Sequence, residues 1–186
     1  MRLWIGLVGV AVALGVIAAA PQVARADEVV VKEAEDKGVK GLRASFTVEQ
    51  ERAVVFAVLN DLDAFLKLFP EIKSFKVVRE EGESRDIHFK VDAVLAEAEY
   101  TLRRTTRRGA QVDAISWNRL SGDANVIRGA WILTDGPRPG TTKVDYQSYV
   151  DVSAVVPTAL VRDVAMDKVQ QMVKRLRDAC DARAAR

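Results

Sequence analysis

The sequence is poor in the residues that carry most enzyme chemistry. It has one cysteine, Cys180, and one histidine, His88. A lone cysteine cannot form a disulfide within the chain, so stability has to come from packing. One histidine and one distant thiol leave no group with metal-ligand spacing. A Ser/His/Asp triad would have to use His88, which alternates with Asp86 and Lys90 on a polar face, and the Gly-x-Ser-x-Gly elbow is missing. No glycine-rich phosphate loop follows a strand. Glu97 and Glu99 share a face, but it is the charged one, where carboxylates are ordinarily just solvated. Nothing in this inventory calls for a metal or another cofactor.

A surplus of charge is lacking too. The chain has 28 Lys+Arg and 26 Asp+Glu. Residues 1–26 read as a secretory signal: Arg2 is followed by the uncharged Leu3–Ala20, and Ala24-Arg25-Ala26 precedes Asp27. Cleavage after Ala26 removes two cations and leaves 26 basic residues against 26 acidic ones. A balanced chain has no overall electrostatic attraction to nucleic acid. The expectation is a periplasmic protein. The 18-residue apolar run approaches the length of a membrane span, so retention by an uncleaved anchor is the alternative. The remaining 160 residues suit one domain. Residues 27–40 read as a polar lead-in with weak order, and residues 41–183 as the folded domain.

The pattern from Gly41 onward is that of an α+β protein. Leu42, Ala44 and Phe46 alternate with polar residues, which predicts a half-buried strand over Gly41–Val48. Thr47 and Gln50 have capping-box spacing for a helix over Glu49–Leu59, and Asp61 is placed to cap a second helix, Leu62–Phe69, that stops at Pro70. From Ile72 to Val152 the period is two, with turn residues every ten or so positions, which predicts an antiparallel meander. Its inward positions include Ile87, Phe89 and Val91; Ala98, Tyr100 and Leu102; Ile127, Gly129, Trp131 and Leu133; and Val144, Tyr146, Ser148 and Val150. The strand over Val112–Leu120 is of less certain phase.

Glycine is absent after Pro157, and so is further proline. Pro157–Arg183 forms a long amphipathic helix whose apolar face carries Val161, Val164, Ala165, Val169, Met172, Leu176 and Cys180. An antiparallel sheet with one apolar face needs a cover, and this helix is the main candidate. Val161, Ala165 and Met172 at its centre are small or flexible. A helix that lies over a sheet without filling the space beneath it leaves room for a ligand.

Several segments resemble the START-like (SRPBCC) superfamily, and within it the polyketide cyclase/dehydrase and coenzyme Q-binding protein-like branch. They are the strand-to-helix start Thr47–Phe56, the segment Asp63–Ile72 with its aromatics before Pro70, Gly129-Ala-Trp131, Gly140–Tyr146, and Val155-Val-Pro157 opening the last helix. The likeness covers residues 41–180. It implies a helix-grip fold, a curved antiparallel sheet of about seven strands with two short helices and a long C-terminal helix packed over it. It also implies a tunnel between sheet and helix for a hydrophobic small molecule such as a lipid, isoprenoid or sterol. These motifs are structural, so they transfer fold better than function.

The cavity candidates are Phe89, Val91, Tyr100, Gly129, Trp131, Tyr146, Val161, Ala165 and Met172. Large apolar walls interrupted by small residues suit a pocket, although the same side chains can interlock into a solid core. Tyr100 and Tyr146 can orient a ligand hydroxyl or carbonyl, or bond one another or the backbone. Phe65, Leu66, Leu68 and Phe69 form either a lip over the cavity mouth or a plug in the sheet's open end. Arg103, Arg104, Arg107 and Arg108 make either a soluble hairpin tip or a contact for anionic headgroups. The expectation is an exported, non-catalytic carrier of a hydrophobic molecule. The alternatives are an aromatase/cyclase-type enzyme and a solid-cored protein-interaction domain. The oligomeric state is left open.

Overall fold

The computed structural model describes residues 29–92, 97–152 and 158–186, with the side chains of residues 152 and 158–165 excepted. The signal expected over residues 1–26 lies outside the described residues. Eight strands form one antiparallel sheet: β1 (Val30–Asp36), β2 (Val39–Val48), β3 (Ile72–Glu81), β4 (Ser84–Asp92), β5 (Glu97–Arg107), β6 (Val112–Gly122), β7 (Ala124–Asp135) and β8 (Thr142–Val152). Two short helices, α1 (Arg52–Asn60) and α2 (Leu62–Leu68), connect β2 to β3, and the long α3 (Thr158–Ala184) ends the chain. Strands β3 to β8 are the predicted meander. The sheet closes its order as β1-β2-β8-β7-β6-β5-β4-β3, so β2 pairs with β8. This is the helix-grip arrangement, with one strand more than expected.

The extra strand corrects the reading of 27–40 as a weakly ordered lead-in. Val30–Asp36 pairs along its whole length with Val39–Ser45. The two strands meet at Lys37 and Gly38, both at positive φ, 48° and 75°. That pair of left-handed residues is what a two-residue hairpin turn requires. Arg128 of β7 fastens the hairpin, its Nε donating to Asp36 Oδ2 at 3.0 Å.

The start of α1 also departs from expectation. Thr47 and Gln50 do not cap it, because both are engaged elsewhere. Thr47 remains in β2 opposite Lys143, and its carbonyl accepts from Arg177 Nη2 at 3.0 Å. The Gln50 side chain donates to Asp181 at 2.9 Å. The helix starts at Arg52, after Glu51, with no side-chain cap. The expected cap on α2 does form: Asp61 Oδ1 accepts from the backbone N–H of Asp63 and Ala64. The hydrogen bond from Ala64 is the main cause holding the Asp61 carboxyl below its usual range.

Most of the buried apolar side chains fall into two clusters on the inner face. The first joins Phe46, Val48, Val55, Leu59, Leu68, Ile115, Trp131, Leu133, Val144, Tyr146, Met172, Val173 and Leu176, drawn from β2, β6–β8 and all three helices. The second joins Ile87, Phe89, Val91, Leu102, Ala124 and Ile127, with Leu62 and Phe65 of α2 packed against it. Helix α3 packs chiefly on α1, α2, β2 and β1, and thus over the first cluster. Polar ties hold it there: Arg177 to Thr47, Asp181 to Gln50, Arg175 to the Leu68 carbonyl, and Arg183 to Asp61 at 3.3 Å.

Trp117 of β6 packs against both clusters and divides them. Its indole lies on Gly129, where an added Cβ would meet Trp117 Cζ2 at 2.3 Å and the Gln147 carbonyl oxygen at 2.3 Å. Gly129 is therefore not an open patch of floor, as its place among the cavity candidates implied; it is the seat of an indole. Gly129→Ala should destabilise the protein by about 1–3 kcal/mol, the usual penalty for overpacking. A fall in the urea midpoint at unchanged m-value measures it, and an unchanged midpoint contradicts the packing described.

Candidate functional site

Strand alternation settles which side chains face inward, and burial settles which of these are covered. At one end of the sheet, where β2, β6, β7 and β8 meet α1, the inward residues Val48, Ile115, Leu133, Val144 and Thr142 are buried. Toward the other end, six inward residues keep accessible surface: Ala98, Tyr100, Trp117, Arg119, Ser148 and Val150. They are neighbours across the strands. Trp117 pairs with Gly129 and Gly129 with Ser148, Ile127 pairs with Val150, and Leu102 with Arg119. Val150 is 46 % exposed although it continues the inward row of Val144 and Tyr146. Among the described residues, a contiguous, mainly apolar stretch of inner wall is thus incompletely covered beside the second cluster.

The expected cavity residues divide between the clusters. Phe89, Val91 and Tyr100 lie together in or against the second, with the Phe89 and Tyr100 ring centroids 5.8 Å apart. Trp131, Tyr146 and Met172 belong to the first, Met172 being contributed by α3 itself. The Trp131 and Tyr146 rings pack at a tilt of 43° with centroids 4.4 Å apart, and Trp117 stands 6.0 Å from Tyr146. Val161 and Ala165 lie among the residues whose side chains are not described. The expected lip is also divided. Leu68 is a fully buried core residue, which removes it from any lip. Phe65 packs on the second cluster and Phe69 on the first, their rings 4.7 Å apart, and Leu66 is half-buried.

The four arginines expected at a hairpin tip have different fates. Arg104 is a correction: it faces inward and is 6 % exposed. Its Nη1 donates to Asn60 Oδ1 at 2.9 Å and its Nη2 to the Leu59 carbonyl, so it closes the C-terminus of α1. Burial lowers its pKa to about 10. Arg103 is held by Asp86 in a two-pronged pair, Nε to Oδ1 at 2.7 Å and Nη2 to Oδ2 at 2.8 Å. Hydrogen bonding from Arg103 keeps the Asp86 carboxyl below its ordinary range. Arg107 and Arg108 are exposed, but they sit at the far end of β5 from Ala98 and Tyr100.

The remaining chemistry-bearing residues are occupied or inert. His88 is on the outer face, Nε2 lying 3.2 Å from Glu99 and Nδ1 3.2 Å from Thr101 Oγ1. Glu97 pairs with Lys73, and Glu99 with Lys90 at 2.7 Å. Burial pushes the Cys180 thiol up to about 12, which removes the thiolate a nucleophile needs. Inside, Tyr100 and Tyr146 are the phenols of interest. Burial, assisted by the negative charge of Glu71, raises Tyr100 to about 12. Burial also raises Tyr146, against the opposing hydrogen bond with Ser148. Both are neutral hydrogen-bonding groups at any ordinary pH.

The comparisons with known proteins agree with this geometry. The family model for polyketide cyclase / dehydrase and lipid transport matches residues 48–177. No curated protein matches the chain at the level of sequence. Among solved structures, human StAR-related lipid transfer protein 5 is similar at a TM-score of 0.73 and 10 % identity, over 83 % of this chain and 82 % of that one. A STAR-related lipid transfer protein of Xanthomonas axonopodis gives 0.68 and 14 %, over 85 % and 95 %. An aromatase/cyclase of Streptomyces sp. R1128 gives 0.58 and 16 %, over 86 % and 95 %. At these identities the likeness is one of fold, and the fold is the START helix grip.

Tyr100 makes stability depend on pH in alkali. Its folded pKa of about 12 lies above the ordinary 10.0, so its contribution is complete below pH 10 and is lost as pH rises through 12. Two units correspond to roughly 2–3 kcal/mol. Arg104, whose pKa is lowered, acts with the opposite sign over the same range, so the comparison must be made between variants. Tyr100→Phe should lose less stability than the wild type between pH 10 and 12 by urea unfolding. Identical losses would place the phenol in water.

Proposed function

The chain belongs to the polyketide cyclase / dehydrase and lipid transport family, and from that premise we propose that it binds and carries a hydrophobic small molecule. One observation carries the reading: inward-facing residues of β5, β6 and β8 keep accessible surface beside a well-packed core. Apolar surface left uncovered inside a fold is destabilising unless something occupies it. Here the accessible apolar wall is Ala98, Trp117 and Val150 beside the buried Leu102 and Ile127, with Tyr100, Ser148 and Arg119 as sparse polar groups. A mostly apolar wall with a few fixed hydrogen-bonding groups is the usual make-up of a small-molecule site. Lipid, isoprenoid and sterol-like molecules all suit it.

The aromatase/cyclase reading is the second one, favoured by the neutral phenols of Tyr100 and Tyr146 near this wall. Such a site would act by folding a substrate against hydrogen-bond donors. The two readings separate in one experiment. Organic extraction of the purified protein, followed by mass spectrometry, should recover a bound lipid. Ala98→Trp should fill the uncovered wall, leave the far-UV CD spectrum and melting temperature near wild type, and weaken uptake of a fluorescent fatty acid at least about tenfold. Unchanged uptake in the folded variant would remove the site from this wall. Chemical conversion of an added polyketide-like substrate would favour the cyclase.

We also propose export, on the strength of the charge-free run Leu3–Ala20 and the small residues before Asp27. Intact-mass measurement on the periplasmic fraction should give a chain beginning at Asp27. A product that keeps residues 1–26 in the membrane fraction would instead establish the uncleaved anchor.

A further inference from the structure

The uncovered wall contains one cation that hydropathy reading passed over. Arg119 occupies the inward row of β6 after Ile115 and Trp117, opposite Leu102 of the second cluster. Its Nη2 donates to the Gly122 carbonyl at 2.8 Å. Gly122 pairs with Tyr100, so the guanidinium is held beside the β5 position that carries that phenol. The Nε–H is buried and has no acceptor among the described residues. Arg119 also forms no ion pair among them, whereas Arg104, the buried inward arginine of β5, is tied to the end of α1.

A guanidinium stays charged at every physiological pH, and a buried N–H donor without an acceptor is costly. Arg52 Nη1 and Asp113 Oδ2 are also buried without a partner, but they lie at the closed end, whereas the Arg119 donor lies on the partly covered wall, where a ligand is able to bring an acceptor. We propose that Arg119 anchors the head of the carried molecule, and that this molecule is an amphiphile ending in an oxyanion, a carboxylate or a phosphate monoester. The planar guanidinium suits an oxyanion better than a neutral hydroxyl, because an oxyanion carries the opposite charge and its oxygens match the fork of N–H donors. With the head at Arg119, the tail lies along Leu102, Ile127 and Val150. The inference rests on the carrier reading and narrows it from any hydrophobic molecule to an acidic one.

The test compares oleate, oleyl phosphate and oleyl alcohol as displacers of a fluorescent fatty acid, on wild type, Arg119→Gln and Arg119→Lys. Wild type should bind at least one of the anionic probes about 10- to 100-fold tighter than oleyl alcohol. Arg119→Gln should lose that preference by weakening the anions alone, and Arg119→Lys should keep part of it. The stronger anion in wild type tells a carboxylate from a phosphate. Inorganic phosphate alone should displace nothing at millimolar concentration; displacement by it would mean a free-anion site and overturn the amphiphile. Equal binding of oleyl alcohol and the anions in wild type, or a preference surviving in Arg119→Gln, sinks the anchor and leaves the carrier intact. Failure of all three probes to bind sinks the carrier, and the anchor with it.

Discussion

A sheet that keeps its outer face in water must have its inner face covered, and the described residues set three helices against eight strands. The cover is distributed unevenly. Helix α3 is drawn toward β1 and β2 by hydrogen bonds from Arg177 and to Asp181, and α1 lies over the same end of the sheet. That end becomes a close-packed core around Ile115, Leu133 and Val144. The inward rows of β5, β6 and β8 run on past this core and carry apolar side chains into space that is only partly covered. The candidate site is a consequence of that offset between helices and strands, with no need of a reactive group.

Charge is used sparingly inside, and the buried groups differ in how firmly the fold holds them. Arg104 satisfies carbonyl and amide oxygens at the end of α1 and lies 5.9 Å from the Phe65 ring, linking β5 to both short helices. Asp113, 1 % exposed, accepts from the Gly109 N–H and is flanked by Arg52 at 3.5 Å and Arg108 at 3.6 Å, so it organises the turn at the closed end. Arg119 has the weakest structural justification of the three and faces the uncovered wall. Function is easiest to read where a costly group has no internal purpose.

The fold was legible wherever one face of an element alternated cleanly. Ile87, Phe89 and Val91, or Trp131 and Leu133, declare their strands through period two, and Asp61 declares a cap by its place before an apolar run. Strand β1 was hidden because Val30–Asp36 is half charged and its turn puts a lysine, Lys37, in a conformation more often taken by Asn or Asp. The capping-box spacing of Thr47 and Gln50 misled, since tertiary partners claimed both residues. In β6 the inward row reads Asp113, Ile115, Trp117, Arg119, and this mixture erased the periodicity that would have exposed Trp117 and Arg119. Arg104 was hidden among identical neighbours, since only strand phase distinguishes it from Arg103. Gly129 was placed on the correct face, but its purpose depends on an indole from another strand.

The single thiol has a wider consequence. Cys180 is fully buried and its pKa lies near 12, so it neither ionises nor meets an oxidant readily. The covalent structure of the folded domain is therefore indifferent to redox poise. It needs no oxidase or isomerase to mature, offers no handle for mixed disulfides or sulfenic acid chemistry, and has the same bonds in a reducing compartment as in an oxidising one.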